Sequence, residues 1–258
     1  SMKYLLFLGT LALATACGTA PNAVESTQLG ADATRMPAGN WTLTFDDEFD
    51  GSSLDTTTWK ADAGYTCPDS QTCLASRWPE NVTESSGYLH MVTKREERMA
   101  GRPYTTGGIR SAFTQQYGYV EARIRYANAP AVNNAVWLFT PGQVLHPFEI
   151  DINEGIFTSQ INTTFHNWTG GQNEAESHTE VASQDLAAGF HIYAVQWDES
   201  QIVWYYDGSQ VWRIQNASAS TPVQLILSTM VMSAAGPITD ALDGSSMDVD
   251  YIRAYAKQ

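Results

Sequence analysis

An all-β fold is what this sequence predicts: two packed antiparallel sheets, a jelly-roll sandwich. Three observations carry that prediction. Beyond Trp41, short segments of alternating apolar and polar residues follow one another with turn residues between them, the pattern of half-buried strands. No long amphipathic helical period interrupts them. Asp207-Gly208 separates two such segments, 201–206 and 209–214, and this dipeptide is a strong two-residue hairpin signal.

Taken in order, the chain opens with Ser1 ahead of Met2, which reads as a remnant of expression cloning. Lys3, the apolar stretch 4–14 and the small residues up to Cys17 have the charged, apolar and cleavage regions of an export signal, too short to cross a bilayer as a helix. Leu13-Ala14-Thr15-Ala16-Cys17 resembles a bacterial lipobox. Residues 1–17 are therefore expected to be a signal peptide with Cys17 lipidated, plain secretion being the alternative. Residues 18–39 are polar and small, with Pro21 and Pro37, and read as a flexible tether. A single β domain then fills 40–258. Cys67 and Cys73 flank a loop-like Pro68-Asp69-Ser70 stretch and are expected to form a disulfide in an exported protein. Val120, Ala122, Ile124 and Tyr126 alternate with Glu121, Arg123 and Arg125, as in a half-buried strand. His178, with Glu174 and Glu176, falls in an expected loop, and Met247 to Ile252 forms a closing strand.

The chemistry concentrates in Pro147-Phe148-Glu149-Ile150-Asp151-Ile152-Asn153-Glu154-Gly155. As a strand this run puts Phe148, Ile150 and Ile152 on one face and Glu149 and Asp151 on the other. Glu154 has the wrong parity for that second face. One extra residue, a β-bulge near Ile152-Asn153, restores it, and bulges are frequent beside active sites. Glu149 and Glu154 would then stand roughly 13 Å apart at Cα, at about 3.3 Å per residue. Leaning together, their carboxyl groups could approach to about 5 Å, the separation a retaining glycosidase needs. Asp151 between them disfavours ionising both neighbours, so one Glu can stay protonated.

Glu149-Ile150-Asp151-Ile152-Asn153-Glu154 resembles the E-x-D-x-x-E signature of glycoside hydrolase family 16, the laminarinase, agarase and carrageenase group. Phe45 to Gly51, Pro79-Glu80-Asn81-Val82, Tyr117 to Ile124, Ala135-Val136-Trp137-Leu138, Phe190 to Trp197 and Asp250 to Tyr255 are similar to further segments of that family. The resemblance implies a concanavalin-like jelly roll and an endo-acting, retaining hydrolase of a polysaccharide. A β-1,3-glucan of the laminarin type is the first expectation, an algal galactan the second, and a non-catalytic glycan-binding module the third. By the same resemblance Glu149 is the nucleophile, Asp151 the electrostatic helper and Glu154 the acid/base. Arg77, Trp78, Asn133, Trp137, His166 and Trp168 are the implied substrate contacts. Asn133 stands where laminarinases usually carry a Trp, and the usual Trp-Pro before the catalytic strand is missing, with Leu145-His146-Pro147 in its neighbourhood. No catalytic cofactor is implied. A structural Ca²⁺ is, through Glu48, the carbonyl of Gly87 and Asp250, since that ion takes oxygen ligands.

Composition sets outer limits. With a net charge of −14 over 258 residues and no basic stripe, nucleic acid is excluded as a partner, and the only expected membrane contact is a lipid anchor at Cys17. A monomer is expected. Eight Trp and twelve Tyr suit stacking on sugar rings, although most such aromatics belong to a core.

Overall fold

The computed structural model describes residues 36–258. The expected export signal, Cys17 and most of the 18–39 tether lie outside the described residues. The first strand begins at Trp41.

Among the described residues the fold is two antiparallel sheets. The first contains β1 (Trp41–Asp47), β4 (Val82–Ser85), β5 (Tyr88–Val92), β8 (Gly118–Arg125), β13 (His191–Trp197), β14 (Gln201–Tyr206), β15 (Ser209–Gln215) and β17 (Ser246–Lys257). Its order is β15-β14-β13-β8-β17-β5-β4, with β1 pairing β17. The second contains β2 (Trp59–Ala61), β7 (Gly108–Gln115), β9 (Val132–Phe139), β10 (Phe148–Gly155), β11 (Gln160–Asn167), β12 (Glu174–Val181) and β16 (Val223–Val231), in the order β12-β11-β10-β9-β16-β7-β2. A short parallel pair, β3 (Ala75–Arg77) with β6 (Tyr104–Thr106), completes the strands. Among the described residues the helical elements are three 3₁₀ turns.

Alternation explains how the sheets face each other. Val120, Ala122 and Ile124 from β8, Val195 from β13, and Ile202 and Trp204 from β14 meet Val136 and Leu138 from β9, Phe148, Ile150 and Ile152 from β10, and Leu225 and Leu227 from β16 in one buried cluster. Each fully buried aliphatic side chain contributes about 1.5–3 kcal/mol. The Asp207-Gly208 hairpin is present, with both residues at left-handed φ, 47° and 79°, which suits the twist of a two-residue turn. Cys67 and Cys73 are joined by a disulfide.

The β8 strand is half-buried as expected: Val120, Ala122 and Ile124 are buried while Arg123 and Arg125 stay partly exposed. Of its three charged residues Glu121 departs, buried with its carboxylate accepting from the Tyr119 hydroxyl. One expectation needs correction. His178, Glu174 and Glu176 belong to an edge strand, β12, paired along its whole length with β11. Glutamates suit that place, since charge on an edge discourages pairing with a further strand.

Candidate active site

The catalytic-type motif occupies β10, in the middle of the second sheet. Phe148, Ile150 and Ile152 enter the core. Against β9, Asp151 pairs with Trp137 and Asn153 with Val136, so Ile152 has no opposite residue. Against β11, Ile152 and Asn153 share the interval between the pairs Asp151–Thr164 and Glu154–Asn162. This is the expected bulge. Ile152 and Asn153 are both buried, and Glu154 returns to the face of Glu149 and Asp151.

A bulge breaks ladder hydrogen bonds, and buried backbone groups must find other partners. Side chains supply them here. The Trp204 indole N–H reaches across the sandwich from β14 to the carbonyl oxygen of Asp151, at 2.9 Å. Asn162 donates to the Glu154 carbonyl at 2.9 Å, and Asn134 to that of Gly155 at 3.0 Å. Asn153 donates to the Asn134 carbonyl and accepts from the Tyr126 hydroxyl. Tyr126 can lie there because Gly155 has no Cβ; one would stand 2.2 Å from the ring.

The three acids have few neutralising partners. His166, opposite Glu149 in the ladder, places Nε2 3.1 Å from Asp151 Oδ2 and 3.9 Å from Glu149 Oε1. Its Nδ1 meets Asn173 Oδ1 at 2.9 Å. The histidine thus bonds the middle acid rather than the expected nucleophile. Trp168 donates its indole N–H to Glu149 Oε2 at 3.3 Å and stacks on His166 with ring centres 5.5 Å apart. Burial pushes the Glu149 carboxyl above the usual range, opposed by His166 and assisted by the charge of Glu154. Burial does the same more strongly to Asp151, which is 2% exposed. Burial also works against charge on His166, but hydrogen bonds to Asp151 and Asn173 outweigh it and raise the imidazole to about 9. Near neutrality the cluster therefore keeps a proton on His166, beside two reluctant carboxylates.

The remaining expected residues divide. Asn133 donates its side-chain N–H to Glu154 Oε1 at 2.8 Å. Trp137 pairs with Asp151 on the adjacent strand, and its indole N–H bonds Ser228. Arg77 is not an open sugar contact. It is buried, with Nε on the Thr229 carbonyl, its guanidinium 3.5 Å from Asp62 and packed on the Tyr65 ring. Trp78 is half-buried, bonds Ser76 and lies under Arg98.

Two of the three expected calcium ligands, Glu48 and Asp250, do not fit that ion as placed. Both Glu48 oxygens accept from Arg253, at 2.8 and 3.0 Å, and Asp250 is paired with Arg123. A hard cation needs carboxylate and carbonyl oxygens that guanidinium groups have not already engaged. Elsewhere, Glu149, Asp151 and His166 each offer one ligand atom within 4.8 Å of the others, and a hydrogen bond already joins His166 to Asp151.

Sequence reasoning missed the bulge's supports. Asn153 could have been suspected as an amide inside an apolar strand. Trp204, Tyr126, Asn134 and Asn162 carry no local sign of the task, because their partners belong to other strands.

Comparison with known proteins agrees with this geometry. The chain is 37% identical over 163 residues to the endo-1,3-1,4-beta-glycanase ExsH of Rhizobium meliloti (strain 1021), covering 60% of this chain and 34% of that protein. It is 34% identical over 194 residues to EglC, an endo-1,3-1,4-beta-glycanase of the same strain, covering 70% and 40%. The chain thus spans about a third to two fifths of the length of these relatives. Its fold matches the laminarinase catalytic domain of Thermotoga maritima MSB8 with a TM-score of 0.73 at 23% identity, covering 85% of this chain and 99% of that one. A family model for the glycosyl hydrolases of family 16 matches residues 70–253. With that match over most of the β domain, and three acids gathered on one face of β10, the chain belongs to glycosyl hydrolase family 16.

Proposed function

We propose that the protein is an endo-acting, retaining β-glycoside hydrolase whose substrate is a β-1,3-glucan or a related mixed-linkage β-glucan. The observation that carries this reading is the bulge, which returns Glu154 to the face holding Glu149 and Asp151. The printed activities of the two Rhizobium relatives support the choice of glucan.

Glu149 attacks the anomeric carbon while Glu154 gives its proton to the departing glycosidic oxygen. Glu154 then removes a proton from water, which displaces the Glu149 ester and restores both residues. Asp151 and His166 hold their shared proton beside Glu149. They keep a second uncompensated negative charge from building up beside the ionised nucleophile. Trp137, on the strand beside Asp151, and Trp168, at the end of β11, offer apolar surface to sugar rings. The Cys67–Cys73 disulfide supports an exported protein, and the lipobox-like sequence before Cys17 supports a lipid anchor.

Reducing-end release from laminarin, mixed-linkage glucan, agarose, porphyran and carrageenan tests the reading. Laminarin or mixed-linkage glucan should be cleaved, with a β-configured product by NMR. Cleavage of agarose alone would transfer the activity to galactans. Binding without cleavage of any glycan would leave a sugar-holding module.

A further inference from the structure

Asn133, an expected sugar contact, turns its amide to a carboxyl group. On β9 Ala135 stands opposite Glu154, and Asn133, two residues along, is its diagonal neighbour on the same face. Its Nδ2 donates to Glu154 Oε1 at 2.8 Å. The residue is 7% exposed, and its Oδ1 is buried without a partner among the described residues. Leaving a buried amide oxygen unpaired costs stability. Among the described residues, the partner its amide finds is Glu154.

We propose that Asn133 is a positioning residue for the acid/base, fixing which oxygen of Glu154 carries the proton. This rests on the glycosidase reading above. Oε1 accepts the Asn133 N–H, so the proton of the neutral acid resides on Oε2. That oxygen delivers the proton to the leaving group and later takes one from water. Residue type follows from the geometry. Aspartate would set a carboxylate against a carboxylate, serine falls short of the carboxyl group, and leucine fills the space without donating.

Asn133→Leu in the full chain is the test. Its kcat on laminarin should fall about 2- to 10-fold, the worth of a hydrogen bond between neutral groups, with KM within about twofold. The loss should shrink on 2,4-dinitrophenyl β-laminaribioside with azide present, because that leaving group needs no acid and azide needs no base. A raised KM at unchanged kcat would make Asn133 a sugar contact and overturn the proposal, as would a loss of equal size on both substrates. A second measurement needs no turnover. In ¹³C-glutamate-labelled protein, the Glu154 carboxyl resonance, assigned with Glu154→Gln, should move in Asn133→Leu. An unmoved resonance would also overturn the proposal. If the unaltered protein cleaves no glycan, the glycosidase reading fails while this measurement still decides the Asn133 contact.

Discussion

In and beside the first sheet, Glu48 is held by Arg253, Asp250 by Arg123, and Asp248 by Arg125 and His90, while Glu121 takes the Tyr119 hydroxyl and lies 3.9 Å from Arg253. In the second sheet Glu149, Asp151 and Glu154 meet an imidazole, an indole N–H and an amide. One sheet thus neutralises its acids, and the other crowds three together with a single titratable base between them. Glu84, near the end of the first sheet, departs from the pattern: its carboxyl is raised by burial and by Asp47. The difference teaches where stability was given up. Crowded, desolvated carboxylates disfavour their own charge, and a protein keeps such an arrangement where chemistry needs a proton held near neutral pH.

Breaking the crowded set should have the largest effect. Glu149→Ser or Glu154→Ser should lower reducing-end release about 10³-fold or more with an unchanged far-UV CD spectrum. Glu149→Gln should also raise the thermal midpoint at neutral pH, because it removes a charge that burial penalises. That gain should vanish in acid, where Glu149 is protonated anyway.

The paired set should respond in the opposite sense. Arg253→Met takes the guanidinium from Glu48 and Glu121, the latter 2% exposed. It should destabilise the fold by about 3 kcal/mol in urea titration, with the activity of the folded fraction retained.

Trp204→Phe joins the two sheets in one experiment. The lost indole N–H leaves the Asp151 carbonyl unsatisfied, at a cost of about 1–3 kcal/mol. Because that carbonyl lies at the bulge, kcat should fall as well, which separates this change from Arg253→Met.

The smallest effect is a pH dependence. His166 is raised to about 9 in the folded protein, above the roughly 6.5 of a free imidazole. Its contribution to stability is full below about pH 6.5 and is lost as pH rises through 9. Urea midpoints should decline across that window, and His166→Gln should flatten the decline. An equal slope in the variant would remove His166 from the proton-holding cluster.

Much of this comparison was legible before any coordinates. The parity of Glu154 demanded a bulge, since side-chain alternation is a property of each strand alone. The Asp207-Gly208 turn was legible for the same reason. The reading of Arg77 as a sugar contact did not survive, because burial against Asp62 and Tyr65 depends on how a loop packs over β7 and β16. Glu174 and Glu176 were read as loop residues because the face opposite them, Ala175, Ser177 and Thr179, is small and polar, so the strand lacks the apolar alternation that marks a half-buried one.

What the sequence by itself determined is therefore local: strands, turns, the inward face of β10 and the need for one extra residue within it. Tertiary structure alone decided which groups answer the acids. Trp204 is 53 positions from the carbonyl it binds, and Arg253 is 205 positions from Glu48. Alternation is fixed by the backbone of a single strand, whereas hydrogen-bond partners across a sandwich are fixed by the register of strands distant in the chain, which no local pattern encodes.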